Sequence, residues 1–318
     1  MRITLAPLEG VLDFTLRELL TQLGGYDLCI TEFIRISNHQ LLPDKVFYRM
    51  CPELHNGGKT QSGTPVRIQL LGSQPEALAD NAFRAIGLGS QGIDMNFGCP
   101  AKMVNKNKGG AALLKEPEII YQTLHTIRKN IQKDAPLSAK IRLGWDDPES
   151  VFDIMAAVHS AGVNEVTIHA RTKLDGYKAE AIKWNTIAHV KQQYPDMHII
   201  ANGEIWNKED AVKCQLESNC EDIMIGRGAL STPNLAAAIK HDKELLTWPE
   251  IIELVLAYSH VKIRGDKGWY YSNRIKQWLL QLKKQYPQAE ELFTNIRRLK
   301  YTPEVVAEIE SFQQSLIK

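Results

Sequence analysis

Short apolar runs bounded by Gly, Pro, Asn or Asp recur along the first 230 residues, and between them apolar positions fall at helical intervals. The runs predict eight strands, over residues 2–6, 28–33, 66–71, 92–96, 138–143, 165–169, 198–201 and 222–225. The helical spacing is clear in Leu12, Leu16, Leu19, Leu20 and Leu23, with Gly24 placed to cap the helix end. Further helices are predicted over 77–88, 116–130, 150–161, 184–193 and 208–217. Strand and helix alternating eight times predict an α/β chain folded as a (β/α)8 TIM barrel. A doubly wound open sheet is the competitor, and the lack of a G-x-G-x-x-G turn after the first strand speaks against it.

After Thr247-Trp248-Pro249 the strand signals stop. The remainder reads as helices over 249–263, 269–285, 289–299 and 303–316, and proline at 249 suits a helix first turn. The expected organisation is therefore a catalytic barrel, 1–244, followed by an all-helical domain, 245–318.

The 318 residues are 44% hydrophobic and 24% charged, an ordinary globular balance. The N-terminus lacks a secretory pattern, and no apolar stretch approaches the ~20 residues of a membrane span. The expectation is a soluble cytoplasmic protein. Five cysteines, widely spaced and never in a C-x-x-C pair, encode neither a disulfide framework nor a metal site. Net charge is +1, but its distribution is uneven. Residues 245–318 carry 11 Lys and Arg against 8 Asp and Glu, leaving 27 against 29 before them. The basic excess is sharpest over 262–300, where Lys262, Arg264, Lys267, Arg274, Lys276 and Arg297 lie. A solvated helical face and a nucleic-acid footprint are both open.

In a (β/α)8 barrel, chemistry is built at the C-terminal strand ends, and polar residues are dense there. Ala6-Pro7-Leu8-Glu9-Gly10 closes the first strand, Gln69 lies in the third, and Asn96-Phe97-Gly98-Cys99-Pro100 closes the fourth. The fifth holds Lys140 and Arg142, the sixth ends in His169-Ala170-Arg171-Thr172, and Asn202-Gly203-Glu204 and Gly226-Arg227-Gly228 follow the last two. Small residues after those two strands let backbone N–H groups approach an anion, and Arg227 adds a charged donor. Several phosphorylated ligands would fit. Lys140 shares one strand face with Arg142, so one barrel face takes positive charge, costly to bury unless paired or bound to a ligand. Its roles divide among tuning a flavin, Schiff-base chemistry and a structural salt bridge. Cys99, followed by Lys102, Lys106, Lys108 and a Gly-Gly-Ala run, has the make-up of a proton-donating thiol on a mobile loop. The other four cysteines read as inert.

The order P-L-E-G, Q, N-F-G-C-P-x-K-x-V-x(5)-G-G-A-x-L, K-I-R-L-G-W, H-A-R-T, A-N-G-E-I and I-G-R-G resembles the bacterial tRNA dihydrouridine synthases from end to end of the barrel. Asn273-Arg274-Ile275-Lys276-Gln277-Trp278-Leu279 resembles the type C members, which act on the D-loop uridine at position 16. The resemblance implies FMN at the barrel mouth, NADPH as reductant, hydride transfer to C6 of an extruded uracil and protonation of C5 by Cys99. It assigns FMN contacts to Pro7, Leu8, Glu9, Gln69, Lys140, His169, Asn202, Gly203, Glu204, Gly226 and Arg227. It places Asn96 and Tyr177 near the target base, and Arg35, Arg274, Lys276 and Arg297 on the tRNA. Leu8 departs from the family's usual Met, a swap that keeps apolar bulk. The expected partner is tRNA, with no metal, no membrane and a monomeric state. Against this stand an FMN barrel acting on a free pyrimidine or other small molecule, a tRNA-binding protein on a retired barrel, and a Schiff-base lyase.

Overall fold

The computed structural model describes residues 1–37, 40–260 and 268–316. Its strands are β1 (Ile3–Leu5), β2 (Leu28–Ile30), β3 (Ile34–Arg35), β4 (Val66–Leu71), β5 (Ile93–Asn96), β6 (Leu137–Arg142), β7 (Glu165–His169), β8 (His198–Asn202) and β9 (Ile223–Ile225). They pair in the order β2-β1-β9-β8-β7-β6-β5-β4, every ladder parallel, and a β2–β4 pairing closes the ring. The chain is a (β/α)8 barrel, as its pattern predicts.

Alternation along the strands decides which residues meet. One parity is apolar throughout: Ile3, Leu5, Val66, Ile68, Ile93, Met95, Ile141, Ile168 and Ile225 are wholly buried in the cluster under the surrounding helices. The other parity faces the lumen and is divided. Around β1, β2, β8 and β9 it supplies a small apolar cluster of Ala6, Leu28, Ile30, Ile200 and Met224. Around β4 to β8 it is polar, with Arg67, Gln69, Asp94, Asn96, Ser138, Arg142 and His169 all buried.

At the N-terminal ends of the strands Arg67 joins a partly exposed ionic layer. Glu165 receives Arg2 at 2.9 Å, Arg67, and His198 Nδ1 at 3.3 Å, while His198 Nε2 lies 2.7 Å from Asp222. Two carboxylates around one imidazole push the His198 pKa up to about 9.

Helices begin where the sequence supplies caps. Asp13 accepts from Leu16 N at 2.9 Å to start Phe14–Gln22, and Asn207 accepts from Asp210 N to start Lys208–Ser218. Gly24 follows the first of these helices at φ +90°, a left-handed turn that suits glycine. Two features depart from expectation. The second strand breaks after Ile30, where the register against β4 slips by one residue, from Ile30 beside Arg67 to Ile34 beside Leu70; within this bulge the Glu32 carboxylate reaches Gly10 N and, at 3.4 Å, Arg274. The helices Asp44–Met50, Lys102–Lys106, Arg227–Ser231 and Leu235–His241, too short for periodicity to reveal, were not foreseen.

The C-terminal helices are Trp248–His260, Tyr270–Leu282, Gln288–Ile296 and Thr302–Ser315. The end of the helix expected over 249–263, with Lys262, Arg264 and Lys267, lies outside the described residues. Ile252, Val255, Trp278, Leu279 and Ile309 join the apolar cluster that underlies the barrel helices. Trp278, wholly buried, donates from Nε1 to Leu230 O at 3.1 Å, and Tyr258 and Tyr270 donate to Asp13 Oδ2 at 3.0 and 2.8 Å. The helical region is thus fastened both to the helix after β1 and to the segment after β9. Among the described residues no helix is long and apolar enough to cross a membrane.

Candidate active site

Ladder register gathers the site. Asn96 lies beside Lys140, Arg142 beside His169, His169 beside Asn202, and Asn202 beside Met224. These strand ends floor a cavity of about 600 Å³, a volume suited to a small organic ligand. Its walls are the loops after the strands: Pro7, Leu8 and Glu9 after β1, Cys99 after β5, Tyr177 after β7, Gly203 and Glu204 after β8, and Gly226 and Arg227 after β9. All eleven residues expected to hold a cofactor line this one cavity, as do Cys99, Asn96 and Tyr177.

The floor is cationic and short of partners. Lys140 Nζ donates to Asn202 Oδ1 at 2.8 Å, and Asn202 Nδ2 to Met224 O at 2.8 Å. Burial, followed by the nearby Arg142 guanidinium, pushes the Lys140 pKa down to about 7. His169 is held neutral by burial and by Arg142, Lys140, Arg171 and Arg227, and its buried Nδ1 has no partner among the described residues. An unpartnered buried imidazole nitrogen is costly by itself and marks a place for a ligand's polar atom. Arg142 is already engaged: it donates to Gly98 O at 2.9 Å, Thr172 O at 3.0 Å and Gly176 O at 3.1 Å, tying together the loops that carry Cys99 and Tyr177.

Cys99 is the half-buried cysteine of the five, and the others are fully buried. Its backbone is clamped from three directions. Asn96 Oδ1 accepts from Gly98 N at 3.0 Å and Cys99 N at 2.9 Å, Asn105 Nδ2 donates to Cys99 O at 3.2 Å, and Ala111 N donates to the same oxygen at 3.1 Å. Gly110, at φ +58°, lets this return pass, since a Cβ there would lie 2.9 Å from Cys99 O. Burial raises the thiol pKa, and the Glu9 carboxylate adds to the effect while Ala101 N–H and Arg142 oppose it. Lys102, Lys106 and Lys108 flank Cys99 in sequence but are exposed and are not among the groups acting on its thiol. Cys51, one of the cysteines read as inert, is buried beside the Arg17–Glu53 ion pair.

The loops after β8 and β9 form the other end. Gly203, at φ +120°, holds a backbone conformation that L side chains rarely adopt, and a Cβ there would press on Ile182 Cδ1 at 2.8 Å. Glu204 holds Arg171 at 2.9 Å and Arg227, and accepts from Trp206 Nε1 at 2.9 Å. The Arg227 guanidinium lies 4.7 Å from the Tyr177 ring centre and 5.0 Å from that of Trp206. Gly228 serves packing, since a Cβ would fall 2.1 Å from Ile205 O.

The remaining residues expected on RNA lie outside the cavity. Arg35 is exposed on β3, and Arg297 is exposed at the end of Gln288–Ile296. Arg274 is mostly covered, paired with Glu32 and stacked 5.1 Å from the Tyr270 ring, while Lys276 donates to Leu299 O. Sequence reading missed Trp206, Glu32, Gln281 and Asp94. Trp206 directly follows A-N-G-E-I and was open to notice, whereas Gln281 reaches the cavity from a helix remote in sequence, which no local pattern shows.

A mouth of this kind, with side chains converging from most of the strand ends, defines a (β/α)8 enzyme. Residues 4–315 match the family described as Dihydrouridine synthase (Dus), and the chain belongs to that family. It is 51% identical over 316 residues to a tRNA-dihydrouridine(16) synthase of Vibrio cholerae, covering 99% of this chain and 97% of the relative. It is 50% identical over 311 residues to the protein of that name in Escherichia coli strain K12, covering 98% of each chain. Among solved structures, morphinone reductase in complex with tetrahydroNAD superposes with a TM-score of 0.55 at 12% identity, over 84% of this chain and 95% of that one, a likeness of fold.

Proposed function

We propose that this protein reduces the uridine at position 16 of the tRNA D-loop to 5,6-dihydrouridine, with FMN in the barrel mouth and NADPH as reductant. One observation carries the reading: a cationic floor with an unpartnered imidazole nitrogen lies in the same cavity as a thiol that keeps its proton. The residues fit a flavin nucleotide. Lys140 and His169 supply polar atoms at the floor, Gln69 offers an amide, and Gly203, Gly226 and Arg227 form the end suited to a phosphate. When bound, FMN supplies the hydride that uracil accepts at C6. Cys99 supplies the other hydrogen as a proton to C5, and Arg142 beside it offsets the thiolate charge that remains. Lys140, titrating near neutrality, takes up positive charge readily when an anionic group arrives above it. Tyr177, half exposed on the rim, and Asn96 at the floor receive a base that has left its stack.

The helical region, 245–318, acts in this reading as a tRNA-binding domain. The exposed Arg35 and Arg297 meet phosphates, while Arg274 and Lys276 fix their helix through Glu32 and Leu299 O. The enzyme works as a cytoplasmic monomer. The test is a visible spectrum of the purified protein, then incubation with NADPH and unmodified tRNA and mapping of dihydrouridine by nucleoside mass spectrometry. Flavin absorbance with dihydrouridine at position 16, lost in Cys99→Ala, is expected. Flavin with reduction of free uridine but not of tRNA would replace this reading with a small-molecule reductase.

A further inference from the structure

Below the cavity a line of hydrogen bonds crosses the barrel lumen and ends on the loop that carries Cys99. Arg67 NH1 donates to Ser138 Oγ at 2.8 Å, and Ser138 Oγ donates to Asp94 Oδ1 at 2.5 Å. From the other side Cys99 N and Gly98 N donate to Asn96 Oδ1, Asn96 Nδ2 donates to Gln69 Oε1 at 2.7 Å, and Gln69 Nε2 donates to Asp94 Oδ2 at 2.7 Å. Every bond in the line points toward Asp94.

Chemistry fixes that direction. A guanidinium and a backbone N–H can only donate, and an ionised carboxylate can only accept. The two amides between them are each able to turn over, so their orientation depends on what lies at the ends. With a carboxylate at 94, Gln69 presents its NH2 downward and its carbonyl to Asn96, and Asn96 then presents its carbonyl to the Cys99 loop. Asp94 is 1% exposed; burial raises its pKa, while the bonds from Gln69 and Ser138 and the charges of Arg67 and Lys140 favour the ion.

We propose that Asp94 is a positioning residue for Cys99, acting through Gln69 and Asn96 by setting the sense of both amides. It touches neither substrate nor cofactor. Replacing it with the isosteric amide removes the fixed acceptor: Ser138 Oγ, still receiving Arg67, can accept from or donate to the new amide, and in the arrangement where it donates to the new carbonyl the new NH2 faces Gln69 and both amides turn over. Asn96 then sets an NH2 against two N–H groups, and the Cys99 loop loses both bonds.

The inference rests on the proposed reaction, but its primary readout does not. Cys99 is half-buried and the other cysteines are buried, so iodoacetamide alkylation followed by peptide mass spectrometry reports on its loop alone. In Asp94→Asn, alkylation of Cys99 in the folded protein accelerates about fivefold, the effect of releasing one to two hydrogen bonds. Dihydrouridine formation from pre-reduced enzyme slows about tenfold or more, while reduction of the enzyme by NADPH stays within about twofold. Adding Gln69→Glu puts an acceptor back opposite both neighbouring amides, so Asp94→Asn/Gln69→Glu returns alkylation to the wild-type rate. Melting temperature of each variant establishes that it is folded, and if the single variant is not, the double variant decides. Alkylation unchanged in a folded single variant, or accelerated in the double, overturns the role of Asp94. Absence of dihydrouridine with the wild-type enzyme overturns the proposed reaction instead and leaves the alkylation result standing.

Discussion

Replacing Lys140 with Met separates a ligand-binding lysine from a structural one, because the two roles predict opposite changes in stability. The Lys140 pKa is pushed from its ordinary 10.5 to about 7, so the ligand-free protein bears the cost of holding this group in the lumen. At about 1.4 kcal/mol for each pH unit, that cost is ~5 kcal/mol below pH 7 and ~4 kcal/mol at pH 7. It shrinks as pH rises through 7, where the native lysine gives up its proton, and vanishes near 10.5, where the unfolded one does. The lost bond to Asn202 offsets about 1 kcal/mol. Flavin-free Lys140→Met is therefore more stable than wild type by ~3 kcal/mol at pH 7, and the gap closes toward pH 10. Urea unfolding across pH 6 to 10 measures it, and flavin fluorescence titration should show affinity falling ~10- to 100-fold. A variant less stable than wild type by a constant amount at every pH would refute the reasoning and make Lys140 a structural salt-bridge partner.

Cys99→Ser keeps a hydroxyl that is a far weaker acid, so it should bind flavin within about twofold of wild type yet form dihydrouridine at least ~100-fold more slowly in single turnover. Because burial raises the Cys99 pKa, the alkaline limb of the wild-type pH profile should fall above the ordinary thiol range, and a limb below pH 8 would contradict this. His198→Gln at the N-terminal end of the barrel should cost ~1–2 kcal/mol once solvent screening is allowed for. A native pKa raised to about 9 makes that contribution full below pH 6.5 and lost as pH rises through 9, so thermal melts should show the variant converging on wild type near pH 10. Trp278→Ala removes a wholly buried ring and its bond to Leu230, and should cost ~3–5 kcal/mol by denaturant titration; a cost under about 1 kcal/mol would mean that the helical region is not fastened there.

Legibility in the sequence followed how locally each feature is encoded. Val66–Leu71 and Glu165–His169 appear at their predicted bounds because both their apolar parity and their flanking breakers sit within ten residues. The cavity residues were readable for a further reason: once eight strands close in sequence order, every strand end lies at one rim, so position along the chain becomes position around a mouth. The break between β2 and β3 was not readable, since it is a one-residue slip against β4, a strand remote in sequence, and the Glu32 carboxylate within it meets Arg274, 242 residues away. Arg274 itself shows the limit of reading charge from composition. Counted among the basic residues of the tail, it lies mostly covered against Glu32 and the Tyr270 ring, so its positive charge is largely spent inside the protein. The same holds for Asp94, which in sequence is one acid before Asn96 in an apolar strand. Its meaning emerges only from Gln69 on one neighbouring strand and Ser138 on the other, because the direction of a hydrogen-bonded line belongs to both of its ends and to no residue alone.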